Sequence, residues 1–232
     1  DVVRARRVNT PGEANFTASQ VANGELATWA LSGDAFVTTW YDQSGNANNA
    51  TQATTTAQPK IVSAGTLVVG GIDFDGVNDY LTIGTKIVKP EANGNSVFAV
   101  RTASALEVSA GVLSEQDSAA SSQFILGDAV YGIAVLWVNG TAFGTDATGT
   151  KLIGFDWDEV EFQAYIDGSA SGAAGAATVN ATGADVTTIG AHAVNSKELF
   201  FNGQINEVIS YMFDNSANRA AIDAEIIANY GI

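Results

Sequence analysis

From Val68 to the last twenty residues, turn-forming residues cut the chain every few positions, leaving room for strands and almost none for helix. Runs rich in Val, Ile, Thr and aromatics occur at 96–101, 108–113, 123–126, 131–138, 152–157, 160–166, 186–189 and 204–213. The clearest is 160–166. Val160, Phe162, Ala164 and Ile166 alternate with Glu161, Gln163 and Tyr165, a half-buried strand ending in Asp167-Gly168. Residues 72–83 read as strand, tight turn, strand. Such punctuation predicts an all-β, antiparallel two-sheet sandwich or jelly roll. Helix is predicted twice only. A short N-terminal one covers 25–31, with Leu26, Trp29 and Ala30 on one face. A C-terminal one is capped by Asn215 or Ser216, carries the stripe Ile222, Ile226, Tyr230 and stops at Gly231. The Gly/Ala/Ser-rich piece 169–177 reads as a hairpin loop with its flanks.

The 232 residues suit one large sandwich, and no linker or repeat divides them, so residues 1–232 are expected to form a single domain. The chain opens mid-strand at Asp1-Val2-Val3-Arg4 without an initiating Met, as part of a longer polypeptide would. Arg4 and Arg6 there suit an edge or surface strand; at an edge, charge blunts edge-to-edge pairing. Cysteine is absent, which removes disulfide and thiol chemistry. A net charge of −15 repels phosphate backbones and argues against nucleic acid as a partner. No apolar run is long enough for a membrane-spanning helix.

Three landmarks follow one another along the chain. The first is WYDQSGN at 40–46, where a β-type run ends in Asp, Ser, Gly and Asn, residues that bond their own backbone or accept positive φ. The second is FDGVNDYL at 74–81. The third is FNGQINEVISY at 201–211, followed by the terminal helix. In this order they resemble the laminin-G-like, concanavalin A-like jelly rolls of bacteriophage virion proteins, and also the catalytic domain of the arabinofuranosidase B family. The resemblance implies two antiparallel sheets packed face to face.

Four groups of side chains are candidates for a site. Asp73, Asp75, Asn78 and Asp79 place four oxygen-bearing side chains within seven residues, a possible Ca²⁺ cage, or else an Asx turn that bonds its own amides. Asp156, Asp158 and Glu161 are the least unsuitable acids for glycoside hydrolysis, although Asp158 falls where a hairpin tip belongs. Tyr131, Trp137 and Trp157 could offer flat faces to a sugar, or could be core. The one histidine, His192, reads as a surface loop residue.

The resemblance implies a virion surface module, in a tail fibre or spike or as a capsid decoration, exposed on the outside of the particle. It would bind a host-surface glycan or stabilise the particle beside other virion proteins, as a homo-oligomer or lattice-bound copy, without enzymatic activity. The alternative is a glycoside hydrolase of arabinofuranosidase or glucanase type. Apart from Ca²⁺, no cofactor is expected.

Overall fold

The computed structural model describes residues 1–88, 93–103, 105, 111–116, 123–127, 135–138, 140–177, 186–192 and 199–232. A hairpin of β1 (Val3–Arg7) and β2 (Gly12–Phe16) opens the chain. Two short helices follow rather than the one expected: α1 (Ala18–Ala22) and α2 (Glu25–Ala30). Thr17 starts α1 with a reciprocal capping box to Gln20, and Leu26 and Ala30 bury the inner face of α2. Strand β3 (Ala35–Trp40) then runs antiparallel to β1. β1 therefore lies between two neighbours: of the two alternatives it is not an edge strand, while Arg4 is exposed as on a surface strand. Its Arg4 meets Glu13 across the hairpin at 2.8 Å.

The chain continues through β4 (Ala50–Thr51), β5 (Lys60–Ser63), β6 (Thr66–Leu67), β7 (Ile72–Asp75), β8 (Leu81–Ile83) and β9 (Asn95–Ala103). Then come β10 (Leu113–Gln116), β11 (Gln123–Leu126), β12 (Leu136–Val138), β13 (Thr141–Phe143) and β14 (Gly149–Trp157). β15 (Phe162–Ile166), β16 (Ser169–Gly175), β17 (Val186–Ile189) and β18 (Asn202–Tyr211) complete the strands, and α3 (Arg219–Tyr230) closes the chain. The predicted loop at 169–177 is thus mostly strand. Its turn is the Asp167-Gly168 pair, both at positive φ.

Strand β3 divides the architecture. Its first half pairs with β5 and its second half with β4. From β5 one sheet runs β5-β7-β18-β9-β14-β15-β16. From β4 the other runs β4-β8-β17-β10-β11-β12-β13. Every pairing is antiparallel, as expected for the sandwich. β7 and β8 do not pair with each other, so the predicted hairpin at 72–83 is a crossover between sheets. Phe74 and Leu81 are both in the core, 1% and 0% exposed, reached from opposite walls. The pattern of a strand, a turn and a strand is the same in both cases, which is why the sequence could not separate them.

The core lies between the sheets. Phe124 of the second sheet meets Phe155 of the first with ring centroids 4.7 Å apart, and Phe143 meets Phe162 near the far edge at 5.7 Å. A smaller apolar cluster sits outside the first sheet, where Phe98, Val100 and Leu152 receive Ile226 and Ile222 of α3. Gly231 ends α3 in the left-handed conformation, φ 68°, as predicted. Among the described residues no helix is long and apolar enough to cross a membrane.

Candidate functional site

The turn at Asp42 behaves as its composition requires. The Asp42 carboxylate accepts from the Ser44 amide and hydroxyl, both at 2.8 Å, and from the Asn48 amide at 2.9 Å. The acidic turn 73–79 follows the same logic. Asp75 accepts from the amides of Val77 at 2.8 Å and Asn78 at 3.1 Å, and Asp79 accepts from the Asp75 amide at 3.1 Å. Asp73 stands apart on the sheet face, where it accepts from the Gln204 amide group. The four residues therefore do not converge as a cation cage. Among the described residues, no three His, Cys, Asp or Glu side chains are grouped to hold a metal.

Burial and the neighbouring Asp75 carboxylate push Asp79 up to about 7. Glu115, buried where it accepts from the Ile87 and Val88 amides at 2.8 and 2.7 Å, also rises to about 7, chiefly through burial. Both groups hold protons in the folded state at pH values where the unfolded chain has lost them. Stability is therefore expected to fall as pH rises from about 4 to about 7. The melting temperature at pH 5 should exceed that at pH 8 by roughly 5 °C, a figure that allows for solvent screening at Asp79. Asp79→Asn should raise the pH 8 value and leave the pH 5 value nearly unchanged. Equal melting temperatures at the two pH values, at matched ionic strength, would contradict this.

The acids proposed for hydrolysis are dispersed. Asp156 lies under α3, 4% exposed, bonded to Arg219 at 2.7 Å and to Ser96 at 2.6 Å. Asp158 caps the exposed hairpin tip by accepting from the Val160 and Glu161 amides, and these bonds hold its pKa low. Glu161 is exposed at the same tip. Asp156 and Asp158 thus do not form a dyad on one strand face. Trp157 packs in the core, stacked on Phe162 at 5.7 Å, and presents no face to a ligand. Trp137 pairs through its backbone with Ile125 and Ala142; its side chain, like all of Tyr131, lies outside the described residues. His192 is buried at 4% exposure, not on the surface. Burial lowers its pKa, and neither ring nitrogen has a hydrogen-bond partner among the described residues.

The structure instead offers an open cleft of about 400 Å³ on the first sheet. Its lining comes from β7, β18, β9 and the start of β14: Asp73, Thr102, Ala103, Thr148, Gly149, Asn202, Gly203 and Gln204. Carboxylate, amide and hydroxyl groups stand together there, so both donors and acceptors face the space. Beneath it, Arg101 is 1% exposed and holds the 146–149 segment. It pairs with Asp146 and donates to the Gly149 carbonyl at 3.0 Å. Of these lining residues only Asp73 is among the sequence candidates. The others come from strands up to 131 residues apart, and only the register brings them together.

No protein-family model matches the sequence, and no curated protein matches it. Solved structures do. A GH54 α-L-arabinofuranosidase, studied with a cyclic sulfate inhibitor, matches with a TM-score of 0.65 at 15% identity over 98% of this chain. This chain spans 59% of that enzyme's length. An arabinofuranosidase complexed with arabinofuranosyl-α-1,2-xylobiose gives 0.64 at 12% identity, over 98% of this chain and 58% of that one. Domain 4 of the Geobacillus stearothermophilus GH43 arabinanase AbnA, complexed with arabinotriose, gives 0.52 at 16%, over 80% and 81%. None of these three is a virion or laminin-G protein. They count against the expectation of a module without enzymatic activity and agree with the resemblance to the arabinofuranosidase B fold: the structures that match nearly the whole of this chain are glycoside hydrolases. At these identities the likeness establishes the fold alone, the antiparallel β-sandwich that these structures share with this chain.

Proposed function

We propose that this chain is a carbohydrate-active domain that engages arabinose-containing glycans in the cleft at Asp73, Thr102, Asn202 and Gln204. The observation that carries the reading is the lining of the cleft, a carboxylate, two amides and two hydroxyls on an open sheet face. Sugar hydroxyls both donate and accept, and a mixed set of this kind, with a carboxylate to accept and amides and hydroxyls to do both, can satisfy them. The kinship in fold with enzymes and a domain solved with arabinose compounds supports the choice of sugar.

The test is affinity electrophoresis in gels containing arabinan, with a parallel assay of 4-nitrophenyl α-L-arabinofuranoside to record whether bound sugar is also cleaved. The wild-type chain should be retarded by arabinan. Gln204→Ala and Asp73→Ala should each weaken retention about fivefold or more, since each removes a hydrogen-bonding partner. Equal mobility of wild type and variants in arabinan, with no cleavage, would overturn the proposal.

A further inference from the structure

We propose that the glycan lies across the strands as a linear, neutral chain, following one row of side chains on the outer face of the first sheet. This rests on the function proposed above and adds the ligand's form and direction. Strand pairing sets Lys60 opposite Asp73, Asp73 opposite Gln204, Gln204 opposite Thr102, and Thr102 opposite Thr150. Directly paired residues point to one face, so these five form a continuous row, each of them half-buried. Five strands at the usual spacing make it about 19 Å long. An extended oligosaccharide advances by a length comparable to one strand spacing per sugar, so successive units meet successive rungs.

The row is already organised for such a ligand. Gln204 donates to Asp73, and the Thr102 and Thr150 hydroxyls are 3.0 Å apart. The loop before β7 forms a wall. A Cβ on Gly70 would make only ordinary contact, 3.8 Å from both Gln204 Cβ and Thr102 Oγ1, so it is the φ of +96° that calls for glycine where the loop meets the row. Charge selects a neutral polymer. The cation of the row, Lys60, is paired with Asp34 at 3.0 Å, and the chain carries a net −15 that repels polyanions.

Titration calorimetry of the full chain with L-arabinose, a linear arabinotetraose and an oligogalacturonate tests this. The tetraose should bind at least about tenfold more tightly than the monosaccharide, because it meets several rungs. Lys60→Ala should weaken tetraose binding about fivefold and leave arabinose binding unchanged, with a melting curve confirming that the variant is folded. Equal affinity for the two neutral sugars, an unchanged tetraose affinity in Lys60→Ala, or tighter binding of the oligogalacturonate would overturn the row while leaving the cleft's function standing. Binding of no sugar at all would overturn the function itself, and the row with it.

Discussion

Arg219→Ala is expected to lower the melting temperature by roughly 10 °C. Arg219 is 4% exposed at the start of α3 and fixes the helix to the outer face of the first sheet. Its guanidinium donates to Asp156 at 2.7 Å and to the carbonyls of Val97 and Phe155 at 3.0 and 2.8 Å. It lies between the rings of Phe98 and Tyr165, 4.0 and 4.2 Å from their centroids. Gly154 makes room for it, since a Cβ there would stand 3.3 Å from the guanidinium and 2.2 Å from the Val97 carbonyl oxygen. Truncation removes these bonds and leaves the Asp156 carboxylate buried without its cation, a loss of about 3–5 kcal/mol. In Arg219→Met with Asp156→Asn one of the two buried carboxylates that Arg219 faces is neutralised, Asp223 at 3.4 Å being the other, and part of the loss should return. Thermal unfolding followed by far-ultraviolet circular dichroism measures both. A drop below about 3 °C for Arg219→Ala would mean that apolar packing alone, through Ile222 and Ile226, holds α3 in place.

Arg101→Ala should cost a similar amount and should also disturb the cleft. Arg101 and Asp146 bury their side chains to 1% and 0% exposure. Removing the cation leaves a buried carboxylate and frees the carbonyls of Ala147 and Gly149. The penalty is again about 3–5 kcal/mol, or roughly 10 °C in melting temperature. Because Thr148 and Gly149 line the cleft, arabinan retention should weaken even at temperatures where the variant remains folded. The two effects separate structure from site: Arg219→Ala should weaken the fold and spare retention, whereas Arg101→Ala should reduce both. Retention unchanged in a folded Arg101→Ala would place the ligand elsewhere.

The contrast between these arginines and the sequence candidates shows what was legible. Local chemistry could be read directly. The Asp42 turn, the Asp158 hairpin tip, the Asp167-Gly168 turn and the Gly231 stop all depend on residues within a few positions, and all are present. Strand alternation gave the sandwich for the same reason. Partnership over distance was hidden. Asp156 looks like a catalytic acid until Arg219, 63 residues later, is seen to neutralise it. Trp157 looks like a sugar platform until Phe162 covers it. The turn after Phe74 could not reveal that β7 and β8 belong to different sheets. The cleft was the least visible of all. Its threonines and amides are ordinary surface residues in the sequence and become a site only through the register of β7, β18, β9 and β14.

The central claim is that sugar binds on the outer face of the sheet that contains β7, β18 and β9. Amide ¹H–¹⁵N spectra of the full chain, recorded as arabinotriose is added, test it most directly. The account predicts progressive shifts centred on Asp73, Thr102, Thr148, Asn202 and Gln204, with Ser114, Ile125 and Ala142 of the opposite sheet unmoved. Shifts confined to that opposite sheet, or none at saturating sugar, would contradict it.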